Sequence, residues 1–363
     1  MPNKLKPLII GDLKINIPIF QGGMGVKVST APLVSAVANC GGAGTIASVG
    51  LFDGLNKKTA KFVQESSDSL RKEIRKTKKL TNGVFGVNIM VALSNYEELV
   101  KVSVQEEADF IVSGAGLPLR LPKLVEGSNI KLIIIVSSGR AADLIIKTWK
   151  TKYNRLPDAI VVEGPLAGGH LGFKPEELSP SKTQNRLAEL VTETLEVTKK
   201  YQEKYGINIP VIAAGGVFDG KDIAKFIKLG ASGVQIATRF VATDECEVSQ
   251  KFKERYVSAK EEDVIIVSSP VGLPGRAIKN KFTDDVAKGK TVPTDGCFRC
   301  IRSCNPAKVP YCIATALTHA FEGNLDEALI FAGSNVGRIK EIVPVKQLMD
   351  ELIEETNLEL SKK

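Results

Sequence analysis

A repeated pattern most constrains the fold: a short apolar segment ends in a cluster of glycine or polar residues, and a helical stretch follows. Eight such segments are predicted to be strands, at residues 18–21, 43–47, 84–89, 110–112, 131–136, 159–162, 209–214 and 233–237. Apolar runs without polar alternation are typical of parallel strands that are buried on both faces. Eight strands that alternate with helices predict a closed (β/α)8 barrel, the TIM barrel, rather than an open sheet.

The length of the chain leaves room for more than the barrel. A (β/α)8 barrel needs about 250 residues, and the chain has 363. We predict a barrel at residues 1–258, an irregular lid segment with the cysteine cluster at 259–311, and C-terminal helices at 312–363 that pack on the barrel. The lid prediction rests on Pro270, Gly272, Pro274, Gly275 and Pro293. Apolar faces predict C-terminal helices at 312–321, 325–331 and 345–353.

Composition excludes several classes of function. Forty-three percent of the residues are hydrophobic and 25% are charged, which is ordinary for a globular protein. The net charge is +8, and its densest basic run, RKEIRKTKK at residues 71–79, resembles the exposed face of a long charged helix at 57–78 rather than a nucleic-acid site. There is no apolar run of about 18 residues and no secretion signal. We therefore expect a cytoplasmic protein without a membrane or nucleic-acid partner.

The stretch DAIVVEGPLAGGHLGF at residues 158–173 joins a predicted strand to a loop that carries chemistry. Gly164, Gly168 and Gly169 allow the backbone to turn tightly and to approach a ligand. They precede His170, one of two histidines in the chain. A titratable side chain on a loop after a parallel strand is typical of an α/β active site, and the alternative is a tight connection with a surface histidine.

The loops after the seventh and eighth predicted strands are candidates for binding phosphate. They contain Gly215, Gly216 and Thr238. In (β/α)8 barrels these two loops commonly bind a phosphate through backbone N–H groups, although plain β/α turns would have a similar composition. A phosphate site in this position, together with the open glycine-rich first loop, suggests FMN.

Six motifs, in order along the chain, resemble the nitronate monooxygenase family. They are PIFQGGMG at 18–25, FGVNIM at 85–90, SGAG at 113–116, EGPLAGGH at 163–170, IPVIAAGGVFDG at 209–220 and GVQIATRF at 233–240. The same motifs are similar to the related flavin-dependent enoyl-acyl-carrier-protein reductases, which also share a motif like RAIKN at 276–280. The resemblance covers residues 18–280. Together the motifs are highly specific for the superfamily that contains both families, but they distinguish much less well between the two reactions.

The resemblance implies a role for each matching residue. Gly22, Gly23 and Met24 would line the isoalloxazine of FMN, and Asn88 would hydrogen-bond its polar edge. Further residues would contact the cofactor or its ribityl phosphate: Glu163, Gly168, Gly215, Gly216, Gln235 and Thr238. His170 would act as a base or as an electrostatic partner of an anionic substrate. An imidazole is suited to either role because its ordinary pKa is about 6.5.

Three functions remain open at this point. The resemblance implies that an alkyl nitronate reduces FMN and that O2 reoxidises it, giving a carbonyl compound and nitrite. The alternative enzyme would pass a hydride from NAD(P)H through FMN to an enoyl thioester. A flavin-binding protein without catalytic activity is the third. Arg239 and Arg276 are further candidates for contacting an anionic substrate, and a homodimer is one of the oligomeric states that the sequence leaves open.

A cysteine cluster follows the region of resemblance. Cys297, Cys300 and Cys304 have the spacing C-x2-C-x3-C, and Cys312 follows closely. Four thiolates on one loop can enclose a [4Fe–4S] cluster or a zinc ion, and this spacing resembles the iron–sulfur segment of some flavin-dependent dienoyl reductases. The third alternative is that the cysteines are packing residues and incidental thiols, with no metal.

Overall fold

A parallel eight-stranded barrel forms the centre of the protein. The computed structural model describes residues 5–52, 61–292 and 296–362. The barrel strands are β3 (Ile19–Gln21), β4 (Gly44–Ala47), β5 (Phe85–Met90), β6 (Phe110–Gly114), β7 (Lys131–Val136), β8 (Ala159–Glu163), β10 (Val211–Ala214) and β11 (Gly233–Ile236). All eight predicted strands are therefore confirmed. Their bounds differ from the predicted ones by at most two residues.

The sheet runs in the order β3-β11-β10-β8-β7-β6-β5-β4, and its two ends meet. A parallel bridge joins Phe20 of β3 to Ala43, next to β4. The backbone N–H of Gln21 donates to the Ala43 carbonyl at 2.9 Å, and that of Ala43 donates to Ile19 at 3.0 Å. The predicted TIM barrel is confirmed.

A two-stranded hairpin that the sequence did not predict lies at the amino ends of the barrel strands. It consists of β1 (Leu8–Ile10) and β2 (Leu13–Ile15), paired antiparallel. Leu8, Ile10 and Ile15 are buried with the inward-facing side chains of the barrel. Asp12, at the hairpin turn, forms an ion pair with Lys131 at the start of β7. The hairpin thus covers this end of the barrel, and the carboxyl ends of the strands remain available for a site.

Helices surround the barrel. Those that follow strands are α1 (Ala31–Asn39), α2 (Phe62–Leu80), α3 (Tyr96–Gln105), α4 (Leu121–Leu124), α5 (Gly139–Tyr153), α6 (Pro180–Thr183), α7 (Arg186–Tyr205), α8 (Gly220–Leu229), α9 (Thr238–Val241) and α10 (Gln250–Ser258). The predicted helix at 57–78 corresponds to α2, and residues 57–60 lie outside the described residues. The apolar faces of these helices pack on the outward-facing strand residues and form the larger part of the core.

Residues 260–310, predicted to be irregular, contain regular structure. Strands β12 (Val264–Ser268) and β13 (Pro274–Ile278) form an antiparallel hairpin, and helix α11 (Lys281–Ala287) follows. Strand β13 also pairs with the short strand β9 (Gly169–His170). Pro270 and Gly272, which suggested irregular backbone, lie in the turn of this hairpin, whereas Pro274 and Gly275 begin β13. Pro293 lies outside the described residues.

The C-terminal region contains two of the three predicted helices. These are α12 (Ile313–Glu322) and α13 (Val345–Ser361). The helix predicted at 325–331 is wrong, because only Leu325–Glu327 forms one 3-10 turn. Gly323 ends α12 in the left-handed region. The apolar residues beyond it are extended beside β13, where the Ile278 N–H donates to the Ile330 carbonyl at 2.8 Å.

Helix α13 packs against α8 and α1, so the end of the chain returns to the barrel. The backbone N–H of Gly220 donates to the Glu355 carboxylate at 2.9 Å. None of the helices in the described part of the chain is long and apolar enough to cross a membrane.

Candidate active site

A cavity of about 510 Å3 opens at the carboxyl ends of the barrel strands. The residues to which the family resemblance assigned a catalytic or FMN-binding role all line it: Gly22, Gly23, Met24, Asn88, Glu163, Gly168, His170, Gly215, Gly216, Gln235 and Thr238. These residues come from segments that are far apart in sequence. Parallel strands bring them together because their carboxyl ends all lie on one face of the barrel.

The first glycine-rich loop, residues 22–25, packs closely against neighbouring strands. A Cβ atom on Gly23 would lie 2.4 Å from the Cβ of Asn88, and one on Gly22 would lie 3.3 Å from the side chains of Gln235 and Ala237. The loop is held by Ser29, whose Oγ accepts hydrogen bonds from Met24 N at 2.8 Å and from the Gln21 amide at 2.7 Å. A residue with a Cβ therefore cannot replace Gly23 unless the loop or Asn88 moves.

The loops after β10 and β11, which the sequence predicted to bind phosphate, both line the cavity. Gly215 and Gly216 have φ of +82° and +114°, a backbone conformation that favours glycine. The Thr238 hydroxyl accepts from Gly333 N at 2.9 Å, and the Asn335 amide donates to the Gly216 carbonyl at 2.8 Å. Gly333 and Asn335 also line the cavity, and no sequence motif indicated them.

Several polar side chains that line the cavity have no hydrogen-bond partner among the described residues. The side-chain amide of Asn88 forms no hydrogen bond with any residue that the structure describes. Ser48 and Asn95 also line the cavity, and nothing in the described parts of the chain hydrogen-bonds to the buried Ser48 Oγ or Asn95 Oδ1. Because buried polar atoms are normally hydrogen-bonded, these groups indicate a place for a polar ligand.

His170 is the second residue of β9, and its side chain lines the cavity. Its Nε2 is 2.8 Å from the Ser269 hydroxyl, and its ring meets the edge of Phe331 at a centroid distance of 5.0 Å. Burial lowers the pKa of His170 to about 4. The imidazole is therefore uncharged at neutral pH. Ser269 was not predicted, because it lies 99 residues from His170 along the chain.

Glu163 ends β8 and is directed into the same cavity. No hydrogen bond or ion pair reaches its carboxyl group from the described parts of the chain. Burial raises the pKa of Glu163 to about 7. A carboxyl group and an imidazole with their pKa values shifted in opposite directions are a feature of sites that handle protons.

The two arginine candidates do not both reach the cavity. Arg276 is 4% exposed and donates to the carbonyls of Pro165 and Ala167, the latter at 2.8 Å, so it holds the loop that precedes His170. It does not line the cavity. Burial lowers its pKa to about 10. Arg239 lines the cavity but is paired with Glu351 at 3.2 Å.

The structure does not support the predicted metal site. Cys297, Cys300, Cys304 and Cys312 are free thiols, and of the four only Cys300 lines the cavity. Burial, together with the other three thiols, raises the pKa of Cys300 to about 12. Among the residues at 5–52, 61–292 and 296–362, no three His, Cys, Asp or Glu side chains are placed to hold a metal ion. The spacing thus places the other three thiols near Cys300 without forming a set of metal ligands in the described residues.

Comparison with known proteins identifies the family. The family model described as nitronate monooxygenase matches residues 6–100 and 93–355. The chain belongs to the nitronate monooxygenase family. It is therefore an oxidoreductase of a family that is in general flavin-dependent, as the six motifs predicted. The cavity described above lies within the matched residues.

Curated relatives of this family cover most of the chain. A probable nitronate monooxygenase of Staphylococcus saprophyticus is 29% identical over 313 residues, which are 77% of this chain and 80% of the relative. A probable nitronate monooxygenase of Staphylococcus aureus is 29% identical over 314 residues, 76% of this chain and 79% of the relative.

Two solved structures are similar over nearly the whole length. FabK from Thermotoga maritima is 30% identical with a TM-score of 0.71, and the match covers 94% of this chain and 93% of that one. A nitroalkane oxidase from Streptomyces ansochromogenes is 20% identical with a TM-score of 0.72, covering 94% of this chain and 96% of that one. The second likeness concerns the fold alone.

Proposed function

We propose that this protein is an FMN-dependent nitronate monooxygenase that converts alkyl nitronates and O2 to a carbonyl compound and nitrite. One observation carries the proposal. The glycine-rich loops, Asn88, Glu163 and His170 all line one cavity at the carboxyl ends of the strands. Membership of the nitronate monooxygenase family supports the reaction.

The residues present fit an FMN. Gly23 leaves a space beside Asn88 that a Cβ would fill, and the Asn88 amide is free to hydrogen-bond a flat polar ligand. Gly215, Gly216 and Thr238 would hold the phosphate with backbone N–H groups and a hydroxyl. The unpartnered Ser48 Oγ adds a hydrogen-bonding group to the same wall. When bound, FMN would supply the redox chemistry, in which electrons pass from the nitronate to O2.

The side chains of the chain itself would bind and orient the substrate. His170 is uncharged at neutral pH and offers a hydrogen bond to the substrate. Glu163, with a pKa of about 7, can hold a proton in the same cavity. Around them, apolar side chains such as Val271, Leu273 and Phe331 exclude water from the reacting atoms. Low water content strengthens each hydrogen bond to an anion.

The proposal is tested by product analysis. FMN-loaded protein supplied with the nitronate of nitroethane in air should consume O2 and release nitrite, with an amount of acetaldehyde equal to the nitrite. Boiled protein and free FMN at the same concentration are the controls. Absence of nitrite above these controls would refute the proposal.

The similarity to FabK, at 30% identity over 94% of the chain, favours one second candidate. This is an FMN-dependent reductase that passes a hydride from NAD(P)H to an enoyl thioester. The two candidates are separated by supplying a crotonyl thioester with NADH or NADPH. Oxidation of the nicotinamide that requires the thioester, without nitrite from nitronates, would replace the first proposal by the second.

A further inference from the structure

The hydrogen bonds of His170 determine which ring nitrogen carries the proton. Nε2 is 2.8 Å from the Ser269 hydroxyl oxygen. Nδ1 has no hydrogen-bond partner in the described residues, and the ring lines the cavity. Nδ1 is therefore the nitrogen that is available to a ligand. In an uncharged imidazole one nitrogen donates and the other accepts, so the role of Nε2 fixes that of Nδ1.

The environment of Ser269 assigns the role of Nε2. Ser269 is buried, and its Oγ is approached by the backbone N–H of Val271 at 3.4 Å, a long contact in which the oxygen accepts. Within the described part of the chain, no carbonyl or carboxylate accepts from the hydroxyl. Nε2 is the one acceptor that the described residues place within hydrogen-bonding distance of this hydroxyl. A buried hydroxyl without an acceptor is unfavourable, so the hydroxyl donates to Nε2 and Nδ1 carries the ring proton.

We propose that Ser269 positions His170 as the Nδ1–H tautomer, so that the site presents a hydrogen-bond donor to an anion already formed in solution, the nitronate, and does not deprotonate a neutral nitroalkane. This inference rests on the proposed function for its substrate class. It decides between the two roles for His170 that the sequence left open. An imidazole with its only free nitrogen protonated cannot accept a proton from carbon at that position.

The surrounding structure holds both partners in place. Ser269 directly follows β12, whose partner strand β13 pairs with β9, with Gly275 opposite His170. Arg276 fixes the preceding loop through the carbonyls of Pro165 and Ala167. Burial of the ring also disfavours its charged form, in which both nitrogens would donate. The hairpin therefore carries both the serine and the arginine that orient the histidine.

The tautomer is measured directly by NMR of FMN-loaded protein labelled with 15N-histidine. The chain has two histidines, and a His319→Gln variant assigns the signals. We expect Nδ1 of His170 to show the shift of a protonated nitrogen and Nε2 that of an unprotonated one. Ser269→Ala should abolish this preference, Ser269→Thr should retain it, and the neighbouring exposed Ser268→Ala should leave it unchanged. A proton on Nε2 in the unaltered protein would overturn the inference.

Kinetics supply the second readout. At one pH, the unaltered protein should turn over a preformed nitronate with a kcat/KM at least tenfold above that for the neutral nitroalkane. Ser269→Ala should lower kcat/KM for the nitronate about tenfold, the scale of one hydrogen bond to a charged group, and Ser269→Thr should restore it. Equal use of both substrates would overturn the inference. If neither substrate reacts, the proposed function fails, while the NMR result still tests the tautomer.

Discussion

At the scale of single residues, burial shifts the pKa values of Glu163 and His170 in opposite directions within one cavity. Burial raises the pKa of Glu163 from 4.5 to about 7 and lowers that of His170 from 6.5 to about 4. Between pH 4.5 and 6.5 the folded chain thus has a protonated Glu163 and a neutral His170, and the unfolded chain has the reverse. Each state binds one proton. The pair therefore contributes little pH dependence to stability in this range.

Replacing one member of the pair should reveal its own contribution to the pH dependence of stability. In the unaltered protein, folded Glu163 binds a proton between pH 7 and 4.5 that unfolded Glu163 does not, so the free energy of unfolding of Glu163→Gln should fall, relative to the unaltered protein, as the pH drops from 7 to 4.5. The free energy of unfolding of His170→Gln should fall, relative to the unaltered protein, as the pH rises from 4 to 6.5, because the variant lacks the stability that the unaltered protein gains when unfolded His170 loses its proton. Each change should reach at most about 3 kcal/mol.

These slopes are measured by urea unfolding of flavin-free protein at several pH values. The difference in unfolding free energy between each variant and the unaltered protein removes the contribution of all other groups. Differences that do not change with pH would show that the two pKa values are not shifted in the folded chain.

His170 should be needed for turnover and not for binding of the cofactor. His170→Ala removes the proposed hydrogen bond to the substrate and leaves the glycine-rich loops and Thr238 unchanged. We expect unchanged flavin content and a kcat/KM for nitronate reduced by at least tenfold, measured by absorbance and by nitrite release. His319→Ala is the matched control, because His319 lies on α12 and does not line the cavity. Full activity in His170→Ala would remove His170 from the proposed mechanism.

At the scale of elements, the first glycine-rich loop and β5 fit together with no space for another side-chain atom. In Gly23→Ala the new Cβ would lie 2.4 Å from the Asn88 Cβ, so the loop or β5 must move. We expect the flavin content of the purified variant to fall by at least half, as measured by absorbance at about 450 nm relative to 280 nm. Gly127→Ala is the control for backbone strain outside the site, because Gly127 has a φ of +80°, no atom lies within 4 Å of the corresponding Cβ, and Gly127 is outside the cavity lining. Normal flavin content in Gly23→Ala would contradict the proposed position of the cofactor.

The β12–β13 hairpin should support turnover through Arg276. Arg276→Met removes both hydrogen bonds to the loop before His170 and leaves two buried carbonyl groups without a donor. This should lower the unfolding free energy by about 1–3 kcal/mol and also lower kcat. Urea unfolding and nitrite release check the two effects. Arg120→Met, on an exposed side chain, is the control; equal kcat in both variants would show that the hairpin does not act on His170.

At the scale of the whole molecule, the sequence predicted the barrel because local and global signals agree there. Each strand is an apolar run that needs burial on both faces, and each glycine cluster marks its carboxyl end. The same reasoning failed at residues 325–331, where an apolar run of helical appearance is extended beside β13. Local pattern cannot distinguish these two outcomes, because the hydrogen bond to Ile278 that stabilises the extended form is long-range.

The candidate site was predictable to the extent that it consists of motifs. The glycines, Asn88, Glu163 and His170 lie at or after the carboxyl ends of barrel strands, so the fold itself brings them together. Ser269 and Asn335 could not be predicted, since their partners lie 99 and 119 residues away. Nor could the cysteine spacing show whether four thiols converge, because that depends on side-chain directions in a segment without a motif in the family resemblance.

We propose that one cavity binds both FMN and a nitronate, with the nitronate at His170. This claim is tested most directly by the anaerobic visible spectrum of the FMN-loaded protein, titrated in separate cuvettes with an alkyl nitronate and with NADH or NADPH. We predict that the nitronate bleaches the flavin absorbance and that the nicotinamides do not. Bleaching by a nicotinamide with no response to the nitronate would contradict the claim and favour the enoyl thioester reductase.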